Sequence, residues 1–167
     1  MKLPTYVLSC LLTTTAPLSL YAACAPENQQ YENLQNGAIM DKTHNLMWMQ
    51  CTLGTQRMGE SCIGKETMLD WNTAMFRVGS VNSITKPAGF SDWQLPTKVE
   101  LQTLVASDCY DPTIHETFFP GTLPSGYWSS TEYPNYKEGA YLVFFLDGGT
   151  YLSNKQSEWY IRLVRRP

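Results

Sequence analysis

The chain has little from which to build a metal centre: two histidines, His44 and His115, and no closely spaced cysteine pair. Structural zinc sites need Cys and His at short, regular separations, so that class falls away. A basic surplus is missing too. Twelve Lys and Arg stand against fifteen Asp and Glu, a formal net charge of −3, which gives no basis for nucleic-acid binding through phosphate neutralisation. Arg162, Arg165 and Arg166 form the one basic cluster. No repeat, low-complexity tract or internal linker breaks the sequence, and 167 residues give room for one ordinary domain. Ser129 and Ser130 lack the flanking glycines of a hydrolase elbow, and neither histidine can be placed beside them. A hydrolase or oxidase is therefore the least supported function class, and neither enzymatic activity nor a cofactor is expected.

What is present points to export. Lys2 supplies a positive start, the stretch from Tyr6 to Leu20 is apolar with Ser and Thr admixed, and small residues Ala22 and Ala23 follow. That is signal-peptide layout over residues 1–22, with cleavage after Ala22 or Ala23, and the run is too short and interrupted for a membrane span. Removing it takes away one positive charge, Lys2, and no acid, so the mature charge moves from −3 to about −4. Acylation of Cys24 is the rival reading, but Tyr21 is a poor residue three positions before a lipidated cysteine.

Five cysteines occur, and Cys10 leaves with the leader. Cys24, Cys51, Cys62 and Cys109 remain, an even set that can pair in three ways in an oxidising compartment. Cys51 and Cys62 flank the polar segment Thr52 to Ser61, which reads as a closed loop and leaves Cys24 for Cys109. By loop entropy the short bridge is worth about 3 kcal/mol and the long one about 4.5 kcal/mol.

Ala38 to Asp41 and Asn45 to Gln50 read as two short strands, with Leu46 and Trp48 on one face and Met47 and Met49 on the other. A first helix is expected from a Thr67 cap, with Met68, Trp71, Met75 and Val78 at helical spacing and Gly79 ending it. A second starts at Thr97, three residues before Glu100, a capping box, with Leu101, Leu104 and Val105 as its stripe. The last third reads as sheet: Tyr127 to Thr131, a central strand Tyr141 to Leu146, a turn at Asp147-Gly148-Gly149, and a returning Thr150 to Ser153. Tyr160 to Arg165 closes the chain, with Ile161 and Leu163 on one face and Arg162 on the other. The class is α+β: two helices with a mostly antiparallel sheet, stapled by two disulfides.

Several segments in order match a known pattern: Asp41 through Trp48, the loop Cys51 to Cys62, Trp71 with Ala74, and Gly89 through Thr97 into Glu100-Leu101. Ile114 to Phe119-Pro120, Tyr127 through Glu132 and the ending Ile161 to Arg165 complete it. Together they resemble the Lcl C-terminal domain family, named from the domain that ends the Legionella collagen-like adhesin. The resemblance spans Tyr31 to Arg165, within a single domain of residues 23–167. It implies an exported module, periplasmic or extracellular, related in architecture to C-type-lectin-like folds and used in attachment to surfaces and glycans. The adhesin itself binds sulfated glycosaminoglycans as a positively charged trimer. This chain has no collagen-like repeat and is acidic, which does not suit a sulfated polymer.

The motif residues have structural readings first. Trp93 and Leu95 alternate as an extended segment, Pro96 ends it, Thr97 opens the helix, and Asp92 is expected to accept backbone N–H groups in the turn after Gly89. Trp48 is expected in the core. The hydroxyls of Trp128-Ser129-Ser130-Thr131-Glu132 could satisfy backbone groups where a core strand leaves its sheet. Glu132, Asn135 and Asp147 are the candidate calcium ligands, though a polar surface loop explains them better and no metal is expected. Tyr133, Asn135, Tyr136, Tyr151 and Asn154 lie outside the apolar runs, so packing does not explain them. Their rings and amides suit a sugar face. The expected partner is a surface glycan, or alternatively a protein of an envelope apparatus in which the chain is a structural or assembly component.

Overall fold

The computed structural model describes residue 24 and residues 29–167. The leader expected over residues 1–22 lies outside them. Four strands make the first sheet: β1 (Tyr31–Asn33), β2 (Ala38–Asp41), β3 (Leu46–Met49) and β9 (Val164–Arg165), ordered β1-β2-β3-β9 and antiparallel throughout. The β2–β3 turn is closed by Asp41, fully buried. Its carboxylate accepts from the backbone N–H of Thr43 (3.0 Å) and His44 (3.2 Å) and from His44 Nδ1 (2.7 Å). A hairpin follows, β4 (Thr55–Met58) with β5 (Ser61–Gly64). The segment expected as a closed loop is thus paired strand, and the Cys51–Cys62 disulfide joins the chain just after β3 to β5 beside the hairpin turn (Cα–Cα 5.6 Å). The second disulfide joins Cys24 to Cys109 (Cα–Cα 5.0 Å).

Helix α1 runs Trp71–Ser80 and is capped by Asp70, which accepts from Thr73 N–H at 3.1 Å. Thr67 does not cap it. Leu69 exchanges two backbone bonds with Trp159, both 3.1 Å, and this bridge keeps the chain extended one turn longer than helical spacing predicts. Trp71, Ala74 and Val81 are therefore the buried stripe, while Met68 and Met75 stay exposed. Gly79 does not end the run either. A π-helical turn over Val81–Thr85 continues it, and Lys86, left-handed at φ 42°, stops it before Pro87. A short 3-10 turn over Pro87–Gly89 follows. Helix α2 (Lys98–Gln102) has the expected reciprocal cap: Glu100 N–H donates to Thr97 Oγ1 and Thr97 N–H to Glu100 Oε2. The last sheet is β6 (Gly126–Glu132), β7 (Gly139–Phe144) and β8 (Gly149–Asn154), with β7 central and both pairings antiparallel.

Side-chain alternation explains how these pieces stack. Odd and even residues of a strand face opposite ways. Met47, Met49, Trp128, Leu142, Ile161 and Leu163 enter one apolar cluster with Trp71 and Trp93. Leu46, Trp48, Tyr127, Val143 and Val164 enter a second with Leu101, Ile114 and Phe119. The strands are a middle layer with a core on each side. This corrects the expectation for Arg162. The face opposite Ile161 and Leu163 is the second core, so Arg162 is 0% exposed and belongs to no surface basic cluster. Its guanidinium donates to Met49 O (2.8 Å), Gln50 O and Thr122 Oγ1 (2.7 Å), beneath the Phe119 ring. Burial pushes its pKa below the usual value, with Tyr127 acting the other way. Only Val164–Arg165 of the closing segment forms regular strand, although Tyr160, Ile161 and Leu163 bond to β6, to the chain after β3 and to the end of β3 respectively.

Candidate functional site

The second strand face of the last sheet ends in side chains that no core covers. Tyr133, just beyond β6, packs edge-on against Tyr141 of β7, with ring centroids 5.6 Å apart. Lys98, at the start of α2, places Nζ 4.0 Å from the centroid of the same Tyr141 ring. Tyr136, in the β6–β7 connection, is 44% exposed and Leu152, opposite Tyr141 in β8, is 47% exposed. Asn154 Nδ2 donates to Tyr136 Oη at 3.1 Å, fixing the phenol against the strand end. Gly139 makes this possible. A Cβ there would lie 2.7 Å from Tyr136 Cδ1 and 2.8 Å from Leu152 Cδ1, so only glycine lets ring and leucine close over the strand. The outcome is an aromatic ledge with an amide at one end and an ammonium at the other.

Tyr133, Tyr136 and Asn154 come together here, with Asn135 exposed in the same connection. Tyr151 does not. It is three residues from Asn154 on β8 and so faces the opposite way, where its ring meets Phe144 (6.0 Å) and its hydroxyl donates to Asp147 Oδ2 (2.5 Å). Tyr141, Lys98 and Leu152 were not expected. Tyr141 was hidden in a run read as continuously apolar, although its phenol was the signal that one face of that strand is wet.

The three candidate calcium oxygens do not converge. Glu132 ion-pairs with Lys155 (2.6 Å) at one end of the last sheet. Asp147 sits in the β7–β8 turn at the other end, accepting from Gly149 N–H (2.9 Å) and Tyr151; these bonds hold its pKa below the ordinary value. Among the described residues, one group of His, Cys, Asp or Glu brings ligand atoms together: Cys24, Cys109 and His115, with both sulfurs in the disulfide. His115 is buried, its Nδ1 3.4 Å from Cys109 Sγ and 3.5 Å from Cys24 Sγ.

Asp92 differs from its expectation. Its carboxylate is gripped by Arg165 through Nε (2.8 Å) and Nη2 (3.0 Å), and the guanidinium lies 4.0 Å from the Phe90 ring centroid. The Arg165 hydrogen bonds lower the Asp92 pKa. Arg166 likewise pairs with Glu100, so the C-terminal arginines are neutralised and present no basic patch. Trp48 is fully buried. Trp93 donates from Nε1 to Pro87 O (3.0 Å), and Trp128 from Nε1 to Leu69 O (2.9 Å). Ser129 Oγ donates to Tyr141 O (2.7 Å), and Ser130 N–H to Pro96 O (2.7 Å).

A separate groove of about 510 Å³ opens between the β4–β5 hairpin and the α1–π turn, lined by Met49, Leu53, Thr55, Arg77, Ile84 and Pro87 among others. Ile84 on its lining is 78% exposed, and Phe76 of the same helix α1 as Arg77 is 80% exposed.

With two disulfides, split cores and capped α2 in place, the family can be assigned. The family model for the Lcl C-terminal domain matches residues 37–165. The chain belongs to that family. Lcl C-terminal domains are associated with adhesins, and the match takes in every strand from β2 to β9 and all of the aromatic ledge. Comparison with curated proteins gave no match. Among the described residues no helix is long and apolar enough to cross a membrane.

Proposed function

We propose that this Lcl C-terminal domain is an exported, non-catalytic recognition module that holds a glycan on the Tyr133–Tyr136–Tyr141 ledge, in the periplasm or outside the cell. The ledge carries this reading. The exposed Tyr136 and the half-buried Tyr133 and Tyr141 offer flat apolar area to the C–H face of a sugar at low entropic cost, while Asn154 and Lys98 supply directional donors. Residues 1–22 act as the signal peptide and residues 23–167 as one domain. Export accords with the two disulfides, which persist in oxidising compartments. One full helix, a short second one, three antiparallel sheets and two disulfides support a C-type-lectin-like architecture. The candidate calcium oxygens stand apart, so binding on the ledge proceeds without calcium. A glycan array with the oxidised protein, with and without calcium, tests this. Ligands retained in chelator support it, and no ligand down to millimolar affinity, about −4 kcal/mol, sinks it.

A protein partner in an envelope apparatus is the second reading, favoured by the groove with its exposed Ile84 and by the exposed Phe76 of α1. A stoichiometric protein co-purifying from the native envelope would select that reading.

A further inference from the structure

The two disulfides sit in different chemical surroundings. Around Cys51–Cys62, Cys51 is buried and Cys62 half-buried, and no side chain among the described residues hydrogen-bonds to either sulfur. Around Cys24–Cys109 the buried imidazole of His115 contacts both sulfurs, at 3.5 and 3.4 Å. The two sulfurs also differ in access: Cys24 is half-buried, while Cys109 is 1% exposed. An incoming thiolate therefore meets Cys24 first, and Cys109, buried in contact with His115 Nδ1, is the leaving sulfur.

Thiol–disulfide exchange speeds up as the leaving thiol becomes a better leaving group, and a neighbouring imidazolium lowers a thiol pKa by stabilising its thiolate. From this juxtaposition we infer that Cys24–Cys109 is a thiol–disulfide exchange site for a dithiol reductant, with His115 Nδ1 donating to the thiolate that forms on Cys109.

The chemistry balances as follows. One thiolate of the dithiol attacks Cys24 Sγ; the Cys24–Cys109 bond breaks and its electron pair leaves on Cys109 Sγ, beside His115. The second thiolate of the reductant attacks its own sulfur in the mixed disulfide and expels Cys24 as a thiolate. The dithiol ends as a cyclic disulfide, oxidised by the two electrons the protein disulfide gains, and its two protons pass to the cysteines. Asp108 opposes the step, because its carboxylate lies 3.8 Å from Cys109 Sγ and repels the forming thiolate. Opening the bridge unties residue 24 from the loop that carries Cys109 and leaves the Cys51–Cys62 hairpin intact.

The experiment is limiting dithiothreitol on the folded, oxidised protein, followed by alkylation and mass mapping of each cysteine against time. Cys24 and Cys109 should be labelled ahead of Cys51 and Cys62 by about tenfold or more in rate. His115→Gln should slow their labelling by about tenfold, and Asp108→Asn should speed it, with near-ultraviolet circular dichroism confirming that each variant is folded. If Cys51 and Cys62 open first or together with the other pair, the inference is overturned in the wild type alone. If the folded His115→Gln variant reduces at the wild-type rate, it is overturned as well.

Discussion

Replacing Arg162 by alanine removes a cation that is buried against the second core and wholly out of solvent. The wild-type guanidinium satisfies Met49 O, Gln50 O and Thr122 Oγ1 and lies 5.1 Å from the Phe119 ring centroid. No carboxylate contacts it among the described residues, so backbone carbonyls and hydroxyls offset its desolvation. In Arg162→Ala at least two carbonyls lose a partner inside the protein, each costing about 1–3 kcal/mol, and the vacated volume adds a cavity cost. Relief from burying a charge subtracts from that sum. The net expectation is a loss of about 3–5 kcal/mol, a large part of the roughly 5–15 kcal/mol available to a domain. Arg162→Met fills most of the volume without the charge and should recover about half of the loss. Urea unfolding with both disulfides intact reads the effect as a shift in midpoint. An Arg162→Ala midpoint within about 1 kcal/mol of wild type, at unchanged slope, would show that this residue does not tie the closing segment to β3.

Other outcomes follow from the same geometry. Burial raises the Glu100 pKa, but hydrogen bonds from Arg166 and Thr97 outweigh it and leave the group lowered. Its stabilisation is therefore complete above the unfolded carboxylate value, about 4.3, and disappears as pH falls through the lower folded value. Glu100→Gln should flatten the acid side of the stability profile below about pH 4.5 and leave its neutral slope unchanged, as thermal melts across pH would show. Gly54→Ala should cost more than about 2 kcal/mol in the same urea assay, because φ is +98° and the new methyl meets Lys65 O and Thr67 Oγ1. Removing the hairpin staple with Cys51→Ser and Cys62→Ser should cost about 3 kcal/mol in urea, while retained sheet circular dichroism would show that the fold survives.

Local signals in the sequence were readable where one short segment decides the outcome. Thr97 and Glu100 define the α2 start by themselves, and the β3 alternation assigns Leu46 and Trp48 to one side and Met47 and Met49 to the other. Signals failed where a distant partner overrides local preference. Trp159 holds Leu69 extended, which moves the α1 cap from Thr67 to Asp70. Arg162 has the charge and alternation of a solvent-facing residue, and only the presence of a second core behind the sheet puts it inside. On the ledge, the loop aromatics Tyr133 and Tyr136 were visible because apolar runs do not include them. Tyr141 and Lys98 were not, since their encounter depends on how α2 lies across β7. Spacing alone does place Tyr151 away from Asn154, because residues three apart on one strand face opposite ways.

Backbone chemical-shift mapping with an array-selected glycan tests recognition by the ledge most directly. For the oxidised wild type, shifts should concentrate at Tyr133, Tyr136, Tyr141, Leu152 and Asn154, and Tyr136→Ala should weaken binding by about tenfold or more without loss of fold. Gly139→Ala, whose methyl displaces the Tyr136 ring, should weaken it in the same way. Shifts centred instead on Arg77 and Ile84, or undiminished affinity in a folded Tyr136→Ala protein, would contradict it.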